Sequence, residues 1–196
     1  MRTSILIIIL MGGILSSAVL ACTNSADNAL AAAVKTDSAA MVLRGEYLVN
    51  AIGCDDCHSP KRMGPHGPEI ITELRFSGFP GNGQLPPADT TEVKKGWILF
   101  APDLTSAVGP WGASFAANIS SDGSGIGNWK EENFIRAMRE GKYKGLINSR
   151  PLLPPMPWPS YKNMNDDDLK SIFAYLKTTK PVNNAVPPPK PLSALK

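Results

Sequence analysis

Three stretches of the chain repeat apolar residues at helical spacing. In NDDDLKSIFAYLKTTK, Leu169, Ile172, Phe173 and Leu176 fall at i, i+3, i+4 and i+7 and predict a helix with one buried stripe. Asn165 stands at the N-cap position, and Asp166, Asp167 and Asp168 suit the positive end of the helix dipole. Lys177 and Lys180 suit the other end, and Pro181 stops the helix. The acidic triplet could ligate a metal, but first-turn capping is the commoner role for such a cluster. A second helix is expected from Asn128, with Glu131 completing a capping box, Phe134, Ile135 and Met138 as its stripe, and Gly141 as its stop. Upstream, AMVLRGEYLVNA at 40–51 places Leu43, Tyr47, Leu48 and Ala51 on one helical side.

The region between these helices has no such period. FPGNGQLPP at 79–87 is loop, since neither a helix nor a central strand tolerates it. Two short apolar runs, WILFA at 97–101 and ASFAANI at 113–119, are expected to pair with each other as a small hairpin. With 17 Gly and 18 Pro in 196 residues, short helices are joined by much ordered loop. A fold of that kind needs something besides a hydrophobic core to hold it together, and so long a segment is expected to wrap it.

The ends differ in composition from the middle. MRTSILIIILMGGILSSAVLAC carries one charge, Arg2, an apolar run from Ile5 to Leu15 and then small residues, which is the pattern of an export signal. The run is short for a spanning helix, which needs roughly 20 residues. Val19-Leu20-Ala21-Cys22 resembles the bacterial lipobox, in which the cysteine is lipidated and becomes the new N-terminus; cleavage after Ala21 without lipidation and an uncleaved anchor are the alternatives. The layout is then a signal peptide at 1–21, a lipidated, flexible tether at 22–40, a domain at 41–182 and a Pro-rich tail at 183–196, extended on the surface or mobile. The net charge of +3 comes without any Lys/Arg block, which argues against nucleic acid as a partner. Lys61, Arg62, Lys94 and Lys95 are either ordinary solvated charges or a means of steering an acidic partner.

Cysteine usage sharpens the picture. With Cys22 set aside, only Cys54 and Cys57 remain, too close in sequence for a long-range disulfide framework. They lie in GCDDCHSP, followed at once by His58. A redox dithiol pair would want a preceding strand and a βαβ setting. A zinc site would want two further ligands, and only His66 and scattered carboxylates remain. CxxCH signals covalent haem attachment: each thiol adds to one porphyrin vinyl group, and the next residue supplies the proximal nitrogen to iron. The sixth ligand comes from Met156, His66, Met41, Met63, Met138 or Met164, or the position is open. Met156 in RPLLPPMPWPSY is favoured, because flanking prolines stiffen the strap that would hold a weak thioether, and His66 is its main rival. Met138 reads as core, Met164 as local packing, and Met63 and His66 would have to round the haem edge.

Taken in order, RGEYLVNAIGCDDCHSP, NISSDGSGIGNW and PPMPWPSYKNMNDDDLKSIFAYLKT resemble the class I c-type cytochromes, in particular the cytochrome domains that accompany bacterial periplasmic dehydrogenases. The resemblance covers roughly residues 41–182. It implies an all-α fold of three or more helices around one covalently bound haem c, with the first and last helices crossing. It further implies haem attachment at Cys54 and Cys57, axial ligation by His58 and Met156, and a close helix crossing at Gly45 near Phe173. The long segment after CDDCH departs from the smallest members of the family. The expected function is one-electron transfer between redox proteins of the bacterial cell envelope, with a dehydrogenase, an oxidase or another cytochrome as partner and the lipid as membrane anchor. The protein is expected not to be an enzyme; the alternatives are a haem sensor or a small haem enzyme with a displaceable sixth ligand.

Overall fold

The computed structural model describes residues 37–195. The export segment, Cys22 and most of the tether therefore lie outside the described residues. Helix α1 spans 37–51, so the last residues assigned to the tether are helical instead. A two-residue break at Ile52-Gly53 leads into the short helix α2, Cys54–His58, with Gly53 in the left-handed region at φ 71°. Strands β1 (Lys61–Gly64) and β2 (Gly67–Ile70) form an antiparallel hairpin. After a 3-10 turn at Thr72–Leu74 come helix α3 (Thr90–Lys94) and a three-stranded antiparallel sheet of β3 (Leu99–Phe100), β4 (Ser106–Gly109) and β5 (Gly112–Phe115). Helices α4 (Glu131–Glu140), α5 (Trp158–Tyr161) and α6 (Asp166–Thr178) complete the set, with a last 3-10 turn at Leu192–Ala194.

Helices dominate, but two small sheets accompany them, so the all-α description is too narrow. The two apolar runs do not pair with each other. β3, from the first run, pairs with β4 (Leu99 with Val108), and β4 then turns at Gly109–Gly112 to pair with β5, from the second (Val108 with Ala113). Strand β4, SAVG, is too short and too small in its side chains to register as a separate apolar run. The β1–β2 hairpin is equally hidden, since KRMG and GPEI show no alternation.

Two cores result. The larger joins Leu48 and Val49 of α1, Phe134 and Met138 of α4, and Leu169, Ile172, Phe173, Tyr175 and Leu176 of α6 to Phe76 and Ile126 from the loops. The smaller joins Val93, Val108 and Ala113 beneath Leu85, Leu99, Leu192 and Leu195. Helix α6 matches its predicted stripe, and Asn165 caps it by accepting a hydrogen bond from the Asp168 amide at 2.7 Å. The acidic triplet serves the first turn, with Asp168 paired to Arg44 at 2.9 Å and Asp166 paired to Arg139. Helix α4 starts later than expected: its N-cap is Lys130, whose amide donates to Asn133 Oδ1 at 3.2 Å, and Gly141 ends it in the left-handed region at φ 63°. In α1 the buried face keeps only Leu48 of the expected stripe. Leu43 and Tyr47 are 66% and 63% exposed, whereas Gly45, Leu48 and Val49 face inward. A Cβ on Gly45 would overlap the Ser171 carbonyl and approach Tyr175 Cβ to 2.8 Å. The helices cross there, near Phe173 as expected, with Ser171 and Tyr175 on either side of it making the closest approach.

Candidate haem site

Helix α2 puts both thiols and the imidazole on little more than one turn. Gly53, between α1 and α2, takes a left-handed conformation, in which a side chain would also strike the Asp56 carboxylate at 2.5 Å. Cys54 and Cys57 are free thiols, both half-buried, and Cys54 packs against the larger core. Burial, helped by the adjacent Asp55 charge, pushes the Cys54 thiol up to about 12. Burial also raises Cys57, with Asp56 adding to it. Both are therefore protonated at neutral pH, the opposite of the lowered thiol that a dithiol oxidoreductase requires.

His58 is oriented by one bond: its Nδ1 lies 2.7 Å from the Ala117 carbonyl oxygen. A carbonyl only accepts, so Nδ1 carries the proton and Nε2 keeps its lone pair for a metal. Burial lowers the imidazole pKa and favours this neutral form against the opposing effect of the Ala117 bond. The flanking backbone is pinned on both sides: the Gly78 amide donates to His58 O at 2.8 Å and Phe79 N donates to Ala116 O at 3.0 Å. Gly78 has φ 73°, and a Cβ there would lie 2.6 Å from the Ala117 oxygen.

The turn is braced from outside by an ionic clamp. Arg75 donates to Asp55 through Nε, at 3.0 and 3.1 Å, and through Nη2, at 2.7 Å; Nη2 also reaches Asn50 Oδ1 at 2.9 Å, and Nη1 reaches Tyr175 Oη at 3.3 Å. One guanidinium thus ties α2 to α1 and α6. Ser59, fully buried, donates to Asp55 Oδ1 at 2.6 Å and accepts from the Phe76 amide at 2.9 Å.

The Met156 strap is anchored at several points. Leu152 N donates to Gly141 O at 2.6 Å, Ser114 Oγ donates to Pro154 O at 2.7 Å, and Arg139 donates to the carbonyls of Lys162 at 2.7 Å and Met164 at 2.9 Å. Met156 is half-buried and packs against the larger core, as Cys54 does. Two of its rivals, Met63 and His66, sit away from that core. Met63 is 73% exposed on β1, and His66 is exposed in the turn of the β1–β2 hairpin. Met138 is core, and Met164 packs against that core. Tyr161, which nothing in the sequence pattern singles out, donates to Ile52 O at 3.3 Å. Its phenol is pushed up to about 12 by burial and by the charges of Cys54, Cys57 and Asp56. Arg75, Ser59, Gly78 and Ala117 likewise escape a reading of the sequence. Only Gly78 carries a signal, as an isolated glycine in an aromatic stretch.

The donor set therefore fits a haem: two neutral thiols and an imidazole with its Nε2 lone pair available, on one turn braced against the core. The class of protein these features define is the c-type cytochrome. No protein-family model matches the chain. Individual proteins do match. The chain is 33% identical over 147 residues to the cytochrome c subunit of gluconate 2-dehydrogenase from Pantoea cypripedii, covering 74% of this chain and 25% of that protein. It is 39% identical over 151 residues to the fructose dehydrogenase cytochrome subunit from Gluconobacter japonicus, covering 76% and 23%. It is 28% identical over 145 residues to the cytochrome c subunit of a quinone alcohol dehydrogenase from Gluconobacter oxydans, covering 73% and 22%. The chain thus spans about a quarter of the length of these relatives. It is a homologue of these c-type cytochrome subunits. No helix among the described residues is long and apolar enough to cross a membrane.

Proposed function

We propose that the chain is a one-electron carrier with one haem c, attached through Cys54 and Cys57 and ligated axially by His58 and Met156. The observation that carries this reading is the His58 Nδ1 bond to Ala117 O beside two neutral thiols, which leaves Nε2 as the ring's metal-binding atom. When bound, the haem supplies a single-electron couple whose potential a thioether ligand raises. This chain's residues do the rest. The Arg75–Asp55 clamp and the Ala117 carbonyl hold the proximal turn, and the strap anchored by Ser114 and Arg139 holds Met156. A site saturated on both sides leaves no place for substrate, so electrons pass to a partner protein through a transient contact of small area. The relatives are subunits of dehydrogenases, and the partner proposed here is likewise a dehydrogenase, with an oxidase or another cytochrome on the other side. Haem attachment of this type belongs outside the cytoplasm, in agreement with the signal-like segment at 1–21, and Cys22 would fix the protein to an envelope membrane.

The test is a haem assay on protein from a host competent in cytochrome maturation. One covalent haem per chain is expected, with both thiols blocked and the ferrous protein indifferent to carbon monoxide. Met156→Ala should bind carbon monoxide rapidly while keeping its haem. A colourless product with two titratable thiols would end the proposal, and an unchanged Met156→Ala spectrum would end the ligand assignment.

A further inference from the structure

Lys61 is not the solvated surface charge its sequence suggests. Its ammonium lies among four backbone carbonyls: Asp56 at 2.7 Å, Ser59 at 3.0 Å, and Asp55 and Asp103 at 3.1 Å each. Three of these belong to the CxxCH turn and the residue that ends it. The fourth comes from the segment leading into β4, so one side chain fastens the proximal turn to the three-stranded sheet. A short helix ends with unpaired carbonyls, and a cation among them is well placed.

The charge has no ionic partner: among the described residues Lys61 forms no salt bridge. Asp55 is taken by Arg75, and Asp103 accepts from Thr105 N at 3.1 Å and from Thr105 Oγ1 at 2.9 and 3.0 Å. The exposed Asp56 presents its carboxylate toward Gly53. Backbone dipoles solvate the ammonium without cancelling its net charge, so its field persists in a half-buried setting.

We propose that Lys61 is a positioning residue that also sets potential: its ammonium fixes the carbonyls around His58 and biases the bound iron toward its reduced form. The inference rests on the carrier reading given above. Oxidation, in which one electron leaves for a partner protein, adds one positive charge beside a fixed cation and is disfavoured by it. No bond forms or breaks.

The test compares Lys61→Met, Lys61→Gln and Lys61→Arg with the parent holoprotein by redox titration, after a haem assay on each. At a fixed mediator potential, the reduced-to-oxidised ratio of the Met and Gln variants should fall by about three- to tenfold. Lys61→Arg, which keeps the charge and alters the geometry, should stay closer to the parent. If Lys61→Met fails to accumulate, the Gln and Arg variants decide in the same way. Equal ratios in the Gln and Arg variants, or a Gln ratio equal to the parent's, would overturn the proposal. Absence of covalent haem from the parent would instead remove the carrier reading.

Discussion

His58 takes its orientation from a main-chain oxygen 59 residues away, and that oxygen takes its place from a glycine. Gly78 packs so closely beneath Ala117 that a methyl group there would lie 2.5 Å from the Ala117 carbonyl carbon, in a backbone conformation that already disfavours a side chain. Gly78→Ala should therefore lower stability by about 2–4 kcal/mol, read as a fall in the urea midpoint of the holoprotein. Gly96→Ala is the control, since Gly96 also has positive φ, at 104°, but nothing lies within 4 Å of where an added methyl group would stand; it should lose clearly less. Equal losses would mean that backbone strain alone matters and that the Ala117 contact does not. This contrast also marks what the sequence could convey about the site. Cys54, Cys57 and His58 are legible because the proposed haem would take all three within five positions. The Ala117 carbonyl and the Lys61 cradle are not legible, because main-chain acceptors leave no mark in side-chain identity. Arg75 and Asp55 could be any two surface charges until the fold brings them to 2.7 Å.

Beside the site lies a tight crossing, between α1 and α6. Helix propensity alone would favour alanine over glycine at position 45, by about 1 kcal/mol. Packing reverses the sign, because the obstacle is the Ser171 backbone carbonyl of α6, which cannot rotate away as a side chain would. Gly45→Ala should destabilise the protein by about 1–3 kcal/mol in equilibrium urea unfolding. A gain in stability would show that the helices can separate at no cost and that the crossing does not fix them. The same glycine explains why periodicity catches only Leu48 of the buried face of α1. It weights Leu43 and Tyr47, large residues that remain in solvent, over a residue with no side chain. Helix α6 is legible because its stripe consists of large residues all buried together and its cap is a local asparagine. The strands are obscured because β4 is four small residues long, and its order is decided by partners on either side rather than by its own pattern.

At the scale of the whole domain, the 183–195 segment acts as an external strap across the loops. Asn184 alone accepts from Gly81 N at 2.7 Å, donates to the carbonyls of Ser77 at 2.8 Å and Phe79 at 2.9 Å, and has its amide bound to Ser124 Oγ at 3.0 Å. Further on, Lys190 exchanges two backbone bonds with Ala113 of β5, at 2.8 and 3.0 Å, and Leu192 and Leu195 cover Val93 and Val108 in the smaller core. Proline-rich sequence suits this use: it loses little entropy on becoming extended and leaves few unpaired amides along its length. The residues proposed to hold the haem lie elsewhere, with Cys54 and Met156 against the larger core. Ending the chain after Val182 should thus separate the two cores in their response. The urea midpoint should fall by the equivalent of about 2–4 kcal/mol, and amide exchange should quicken at Ala113 and Gly81. Haem content and the ferrous spectrum should stay as in the parent. Loss of haem from the shortened protein would instead make the strap part of the site, because the loop residues it fastens, Ser77 and Phe79, flank the Gly78 that seats the Ala117 carbonyl under His58.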